Sequence, residues 1–454
     1  MARYLFPIIV FISINCGYTQ TVHSLIDQYI STYVEGGDFS GCVKIVKSDT
    51  TFFSECYGWQ DKEKKIRNSS ETKFMIGSIS KQLTAFAMLK LSERGKLKLS
   101  DPISKFVKTP GDKSKITILQ LLTHTSGIKD IFAIPGFQDL SEKQISKKQI
   151  VDTLLQLQLD FLPGSQYQYS NGGYTLLSHI IEKVSNLTYS QFINSAVFDP
   201  LQLNDFAGQI DRSKLENLAT GYEPLKYKEI HPTVAIHPLL IDGSGSLYSS
   251  IDDLCKWIQI LKERTFLSSE SYDKLFTDYG NSYGLGISVY QTRNGPVFGH
   301  DGRINGFIAD YLHYEKSDVT IALLGNIQTG VADFFRTDIA QIVLQNKSIP
   351  SRAKKVLPAK SHHHPLQSIV GSYSFGPSLV VHITAENQSL LAQANEGGTS
   401  ELIPLIDGSY FSRTLYAGIR FIMDDKEMAS GIEWISNDGR SFKGKRIHQL
   451  AGEN

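Results

Sequence analysis

The sequence predicts an α+β fold, an antiparallel sheet flanked by helices, followed by a separate C-terminal all-β barrel or sandwich. Three observations carry this reading. Before Pro350, strand-like stretches sit at the two ends and helical periodicity fills the middle, which sets early and late strands side by side under helices. Composition then shifts over Pro350 to Pro365, with Lys354, Lys355 and His362-His363-His364, and this marks a linker at 350–365. Beyond it, from Ile369 to Ile447, short apolar alternations (Leu379 to Ile383, Leu390 to Ala394, Ile419 to Met423, Ile432 to Ile435) are separated by turn residues. The 454 residues suit two to three domains, here assigned to 21–349 and 366–450 after a leader at 1–20.

The leader reading rests on Arg3, the short apolar run Leu5 to Ile14 and the polar Asn15 to Gln20. Release near Gly17 to Thr19 is favoured over lipidation at Cys16, because Ser13-Ile14-Asn15 lacks the lipoprotein pattern. The apolar run is too short for a bilayer, so a soluble protein in a secreted or periplasmic compartment is expected. After an amphipathic start at His23 to Tyr33, Gly41 to Val46 and Phe52 to Tyr57 read as strands paired around Ser48-Asp49-Thr50. Cys42 and Cys56 are equidistant from Asp49 and could face each other, although free buried thiols are favoured for them and for Cys255.

Next comes Ser78-Ile79-Ser80-Lys81, with Ile79, Leu83, Phe86 and Leu89 at helical spacing and Gly95 as the stop. A serine and a lysine three residues apart at a helix start share one face. There the helix dipole favours an oxyanion, and a desolvated Lys81 loses its proton more easily, so a weak alcohol gains a base. Thr117-Ile118-Leu119-Gln120 is a capping box opening the helix that ends at His124-Thr125-Ser126-Gly127, where His124 reads as a structural hydrogen-bonding residue. Ile128 to Asp160 has the texture of an insertion or lid. Pro163 to Tyr174 packs turn formers and tyrosines ahead of a helix with Leu176, Leu177, Ile180 and Ile181.

Residues 200–242 read as a long loop. Gly243-Ser244-Gly245-Ser246 follows, then a helix capped by Ser250 with Asp253. Tyr283 to Tyr290 and Val297 to His300 read as strands joined across Arg293-Asn294-Gly295. Phe307 to Tyr314 and Val319 to Leu324 continue the meander, and Val331 to Leu344 closes it as a helix. The three contiguous histidines read as a solvated linker rather than metal ligands.

Charge excludes some partners: 46 basic residues balance 46 acidic ones, which gives no electrostatic case for nucleic acid or an anionic membrane. A small-molecule or peptide substrate, cell-wall fragments included, is the partner class that remains.

Three ordered patches, Ser78-Ile79-Ser80-Lys81, Tyr169-Ser170-Asn171 and His300-Asp301-Gly302, together resemble the serine β-lactamase and penicillin-binding-protein superfamily, nearest its class C and esterase-like branch. The resemblance covers about residues 21–345. The C-terminal part resembles, by strand rhythm alone, the lipocalin-like β-barrel appended to such hydrolases. The resemblance implies an acyl-enzyme on Ser78, with Lys81 and Tyr169 sharing the proton traffic and the lysine ammonium easing tyrosine ionisation. It implies that Asn171 orients the substrate and Lys81, that His300, Asp301, Gly302 and Arg303 line the substrate strand, and that the N–H groups of Ser78 and Arg303 form an oxyanion hole. It needs no metal and no cofactor.

One departure bears on substrate. Where many penicillin-recognising relatives carry Lys-Thr-Gly, this chain has His300-Asp301-Gly302, which lacks the cation that grips a substrate carboxylate. An esterase, amidase or D-amino-acid peptidase is therefore expected, with two alternatives: a true β-lactamase or D,D-carboxypeptidase, and a binding or sensor protein without turnover.

Overall fold

The computed structural model describes residues 22–137, 140, 145–208, 215–226, 229–234, 236–351, 357–376, 379–394, 399–436 and 439–447. The leader and Cys16 lie outside the described residues. The chain forms two compact units, 40–221 with 233–326, and 22–39 with 222–232 and 327–447.

The first unit is built on a six-stranded antiparallel sheet. Its strands are β1 (Gly41–Lys47), β2 (Thr50–Tyr57), β3 (Ser288–Thr292), β4 (Gly295–Ile304), β5 (Phe307–Tyr314) and β6 (Val319–Gly325), in the order β2-β1-β6-β5-β4-β3. Early and late strands meet as expected, with Gly41 opposite Gly325 and Lys47 opposite Val319. β5 and β6 are buried along their whole length, as central strands covered on both faces must be.

The β1–β2 register sets Cys42 opposite Cys56, and the two are joined by a disulfide. This corrects the free-thiol expectation: a non-staggered pair across two antiparallel strands brings the two side chains together on one face. Cys255 is free and buried.

The helical layer centres on α1 (Ser80–Glu93), buried at every residue from Ser80 to Leu89. A helix apolar nearly all round belongs in a core rather than on a surface. It ends as the sequence predicts: Gly95 takes φ +67°, and the N–H groups of Gly95 and Lys96 bond the carbonyls of Ser92 and Leu91. The capping box of Thr117 and Gln120 opens α2 (Ile118–Leu122). The segment read as an insertion holds a regular helix, α3 (Lys147–Gln156), started by a Ser146–Gln149 capping box and buried through Ile150, Val151, Leu154 and Leu155. Next come α4 (Asn171–Ser185) and α5 (Ile251–Glu263), the latter capped by Ser250 on the Asp253 N–H.

Two expected elements differ. The strand expected from Tyr283 starts only at Ser288, because Gly286 at φ +73° turns the chain where its backbone passes the Lys81 carbonyl. The long loop expected over 200–242 contains a hairpin, Tyr222–Lys226 with Glu229–Pro232.

In the second unit, eight antiparallel strands from Gly371–Ser374 to Ser441–Ile447 close into a barrel, Ser372 pairing with Ile447. Tyr373, Ile383, Leu390, Leu402, Tyr410, Ile419 and Ile432 fill it. Closure satisfies the edges that a short open sheet would leave unpaired. The linker histidines are less free than expected, since His362 and His363 donate to the carbonyls of Gln388 and Leu405. The same unit holds the helix at 22–35 and the closing helix, α6 (Ala332–Gln345), joined by Tyr29 donating to Asp338 at 2.7 Å. Among the described residues no helix is long and apolar enough to cross a membrane.

Candidate active site

Ser78 lies in a single 3-10 turn, Gly77–Ile79, that runs straight into α1. It does not cap the helix, because the first α residue follows two positions later and no side chain caps that end. Gly77 has φ +50°, and a Cβ there would meet the Arg303 nitrogen at 2.8 Å. From the other side, a Cβ on Gly302 would lie 2.1 Å from the Ile76 carbonyl oxygen and 2.9 Å from the Ser78 nitrogen. Two glycines thus let the serine turn and the β4 backbone pass at a separation no side chain permits.

One turn on, Lys81 is wholly buried. Its Nζ lies 3.0 Å from Ser78 Oγ, 2.7 Å from Asn171 Oδ1 and 2.8 Å from the Ser244 carbonyl oxygen, and 4.8 Å from the centre of the Tyr169 ring. None of these oxygens carries a full charge. Burial accordingly lowers the lysine to about 7, against the opposing pull of Asp130 and Asp301. In the neutral amine two hydrogens serve Asn171 and Ser244, and the lone pair is left for Ser78.

Tyr169 lines the same cavity as Ser78, which acts on its hydroxyl in the direction of the phenolate. Burial outweighs that effect and pushes its hydroxyl far above the ordinary tyrosine range. The expectation that the lysine eases tyrosine ionisation is corrected here: desolvation of the phenolate dominates.

Asn171 begins α4, whose cap is Ser170, accepting from the Gly173 N–H at 3.1 Å. Asp130 Oδ2 accepts from both the Asn171 backbone N–H, at 2.8 Å, and its Nδ2, at 2.9 Å. His124 supports the same turn: Nδ1 accepts from the Ser170 N–H at 3.1 Å, and the ring lies 4.2 Å from that of Tyr169. Burial, then Lys81 and His300, hold the imidazole well below its usual range, so it is neutral with its proton on Nε2. His300 donates from Nδ1 to the Asp301 carbonyl at 2.6 Å, which leaves Nε2 to accept from Tyr283 at 2.9 Å.

Ser78, Tyr169, His300, Asp301 and Arg303 line a cavity of about 220 Å³. The structure therefore brings every sequence-predicted site residue to one place, Lys81 and Asn171 behind Ser78 and Gly302 beneath it. Sequence reasoning missed Asp130, Tyr283 and the Ser244 carbonyl. Asp130 carried only the signal of a local cap, for the turn Ile131–Ala133 through the Phe132 N–H, and none of its contact with Asn171. A backbone carbonyl carries none.

The Beta-lactamase family profile matches residues 26–345. The chain belongs to the beta-lactamase family. This family member is 26% identical over 440 residues to penicillin-binding protein 4* of Bacillus subtilis (strain 168), covering 88% of this chain and 94% of that one. Among solved structures it is similar to the octameric penicillin-binding protein homologue from Pyrococcus abyssi, with a TM-score of 0.64, 23% identity and coverage of 93% and 99% of the two chains. It is also similar to the D-stereospecific amidohydrolase from Streptomyces sp., with a TM-score of 0.57, 25% identity and coverage of 67% and 94%. It is thus a beta-lactamase-fold serine hydrolase with an appended eight-stranded barrel.

Proposed function

We propose that this chain is an exported hydrolase that forms an acyl-enzyme on Ser78 and acts on esters, amides or D-amino-acid peptides that are neutral or carry an N-terminal ammonium. The observation that carries the proposal is the surround of Lys81: Nζ lies 3.0 Å from Ser78 Oγ, and the Asn171 amide oxygen and the Ser244 carbonyl supply acceptors for both hydrogens of the neutral amine, whose lone pair is then available to Ser78. Lys81 takes the serine proton as Oγ attacks the carbonyl. Tyr169, whose hydroxyl stays protonated, passes a proton to the leaving group and is reprotonated from Lys81. The N–H groups of Ser78 and Arg303, adjacent because of Gly77 and Gly302, take the oxyanion. Asn171 orients the substrate amide or ester, and His300 is held by Tyr283 at the cavity wall.

Asp301 in the cavity wall disfavours a substrate carboxylate and favours an ammonium, and the amidohydrolase neighbour supports the amide class. A second reading, turnover of β-lactams or D,D-peptides, is favoured by Arg303 in the same wall and by the penicillin-binding relatives. Export is supported by the leader-like residues 1–20 and by the Cys42–Cys56 disulfide, a bond of oxidising compartments.

A fluorophosphonate should label wild-type protein at Ser78, and Ser78→Ala should abolish labelling without loss of a cooperative melt. Persisting labelling would sink the assignment. Rates on p-nitrophenyl esters, D-amino-acid anilides and a chromogenic cephalosporin then separate the two substrate readings.

A further inference from the structure

Lys81 can direct its lone pair at Ser78 only if Asn171 presents oxygen to it. An amide turned by half a revolution would present Nδ2 instead, and that N–H would compete with the serine for the lone pair. Lys81 itself does not settle the choice, because a neutral amine can both donate and accept. A group on the far side of the amide must.

We propose that Asp130 is a positioning residue that selects the orientation of the Asn171 side chain, and through it keeps Lys81 aimed at Ser78. The inference rests on the acyl-enzyme reading above. Asp130 Oδ2 accepts from Asn171 Nδ2 at 2.9 Å, which leaves Asn171 Oδ1 facing Lys81 at 2.7 Å. The same oxygen accepts from the Asn171 N–H at 2.8 Å, so the carboxylate grips backbone and side chain of one residue together. Its other oxygen takes the Phe132 N–H at 3.0 Å. Three donors on two oxygens require an acceptor at both ends, so a carboxylate meets the demand and an amide does not.

The fold brings Asp130 to this point at close range. A Cβ on Gly172 would lie 2.3 Å from the Lys129 carbonyl oxygen, so the glycine after Asn171 lets the segment before Asp130 approach the start of α4. Ser170 Oγ donates to that same carbonyl at 3.1 Å. The segment is thus tied to the Tyr169-Ser170-Asn171 turn on either side of the residue it orients.

The test is a double-mutant cycle on the full chain, read as the rate of fluorophosphonate labelling at pH 8, with folding checked by thermal melts. Asp130→Ala is expected to label about 10²-fold more slowly, the cost typical of a misplaced reacting group. Asp130→Asn, which keeps one acceptor oxygen, should fall between it and wild type. Because Asp130 acts through Asn171, Asp130→Ala/Asn171→Ala should be no slower than Asn171→Ala alone. Wild-type rates in both Asp130 variants, or losses that multiply in the double variant, would overturn the proposal. Undiminished labelling of Ser78→Ala in the same series would instead overturn the acyl-enzyme reading.

Discussion

Lys81 and Lys147 are both buried in the catalytic unit, and their surroundings differ in one respect. Lys81 faces a hydroxyl, an amide oxygen and a carbonyl oxygen. Lys147 faces two carboxylates, Glu182 at 2.7 Å and Asp242 in a still shorter contact. Burial raises the carboxyls, but the nearby His179 and the charge of and hydrogen bond from Lys147 bring Glu182 down to about 2, while Asp242, more deeply buried, remains raised. Removal from water alone therefore does not make a base. A buried lysine among neutral oxygens loses much of its hold on its proton, whereas one between carboxylates becomes a structural ion triad.

The largest expected effect tests the first half of this contrast. Lys81→Met keeps the volume and removes the amine, so labelling of Ser78 should slow by about 10² to 10⁴, the range of lost acid–base catalysis, while the protein stays folded. Labelling within a few-fold of wild type would mean that Lys81 is not the base. The next effect tests the second half. Lys147→Met strands Glu182 and Asp242 without a cation, and urea melts should show a loss of about 3 to 5 kcal/mol. The labelling rate per folded molecule should be unchanged. If Lys147→Met instead left stability intact, the triad would be incidental.

The same contrast explains what was legible from sequence. Ser78 and Lys81 could be paired because helix geometry puts residues three apart on one face, and that relation survives even though the turn under Ser78 is 3-10. The sheet could be ordered because alternation and the Arg293-Asn294-Gly295 turn are local signals. What surrounds Lys81 is not local: one acceptor is the Ser244 carbonyl, and another is Asn171, bonded in turn by Asp130, in a stretch whose polar texture suggested a lid. Backbone oxygens have no residue type, and a carboxylate that meets its partner 41 positions away leaves no spacing to recognise. Cys42 and Cys56 were placed correctly across the hairpin, yet burial statistics for cysteine outweighed register in the expectation, and register decided the outcome. Tyr169 lies in the cavity of Ser78, but its ionisation was argued from its neighbour's charge, whereas burial is the larger influence and raises its hydroxyl.

A smaller effect follows in the pH profile of labelling. With Lys81 lowered to about 7, the amine is protonated below that pH and cannot accept the serine proton. The rate should fall about tenfold per pH unit below 7 and level off above it. A profile flat between pH 5 and 9 would remove Lys81 from the rate expression.

The last expected effect concerns stability, and its sign is opposite to that of an ordinary ion pair. The folded-state value of about 7 lies below the unfolded lysine value of 10.5, so between these limits the unfolded chain holds one more proton than the folded one at this site. Stability rises with pH wherever the unfolded state binds more protons. The cost of burying Lys81 is therefore fully present below pH 7 and fades as pH climbs toward 10.5. Lys81→Met carries no such cost, so it should melt above wild type at pH 6, and the gap should shrink steadily as pH rises past 7. A gap that stayed constant with pH, or widened, would show that the neutral oxygens around Lys81 hold its charge as well as carboxylates would, and the distinction between the two lysines would fail.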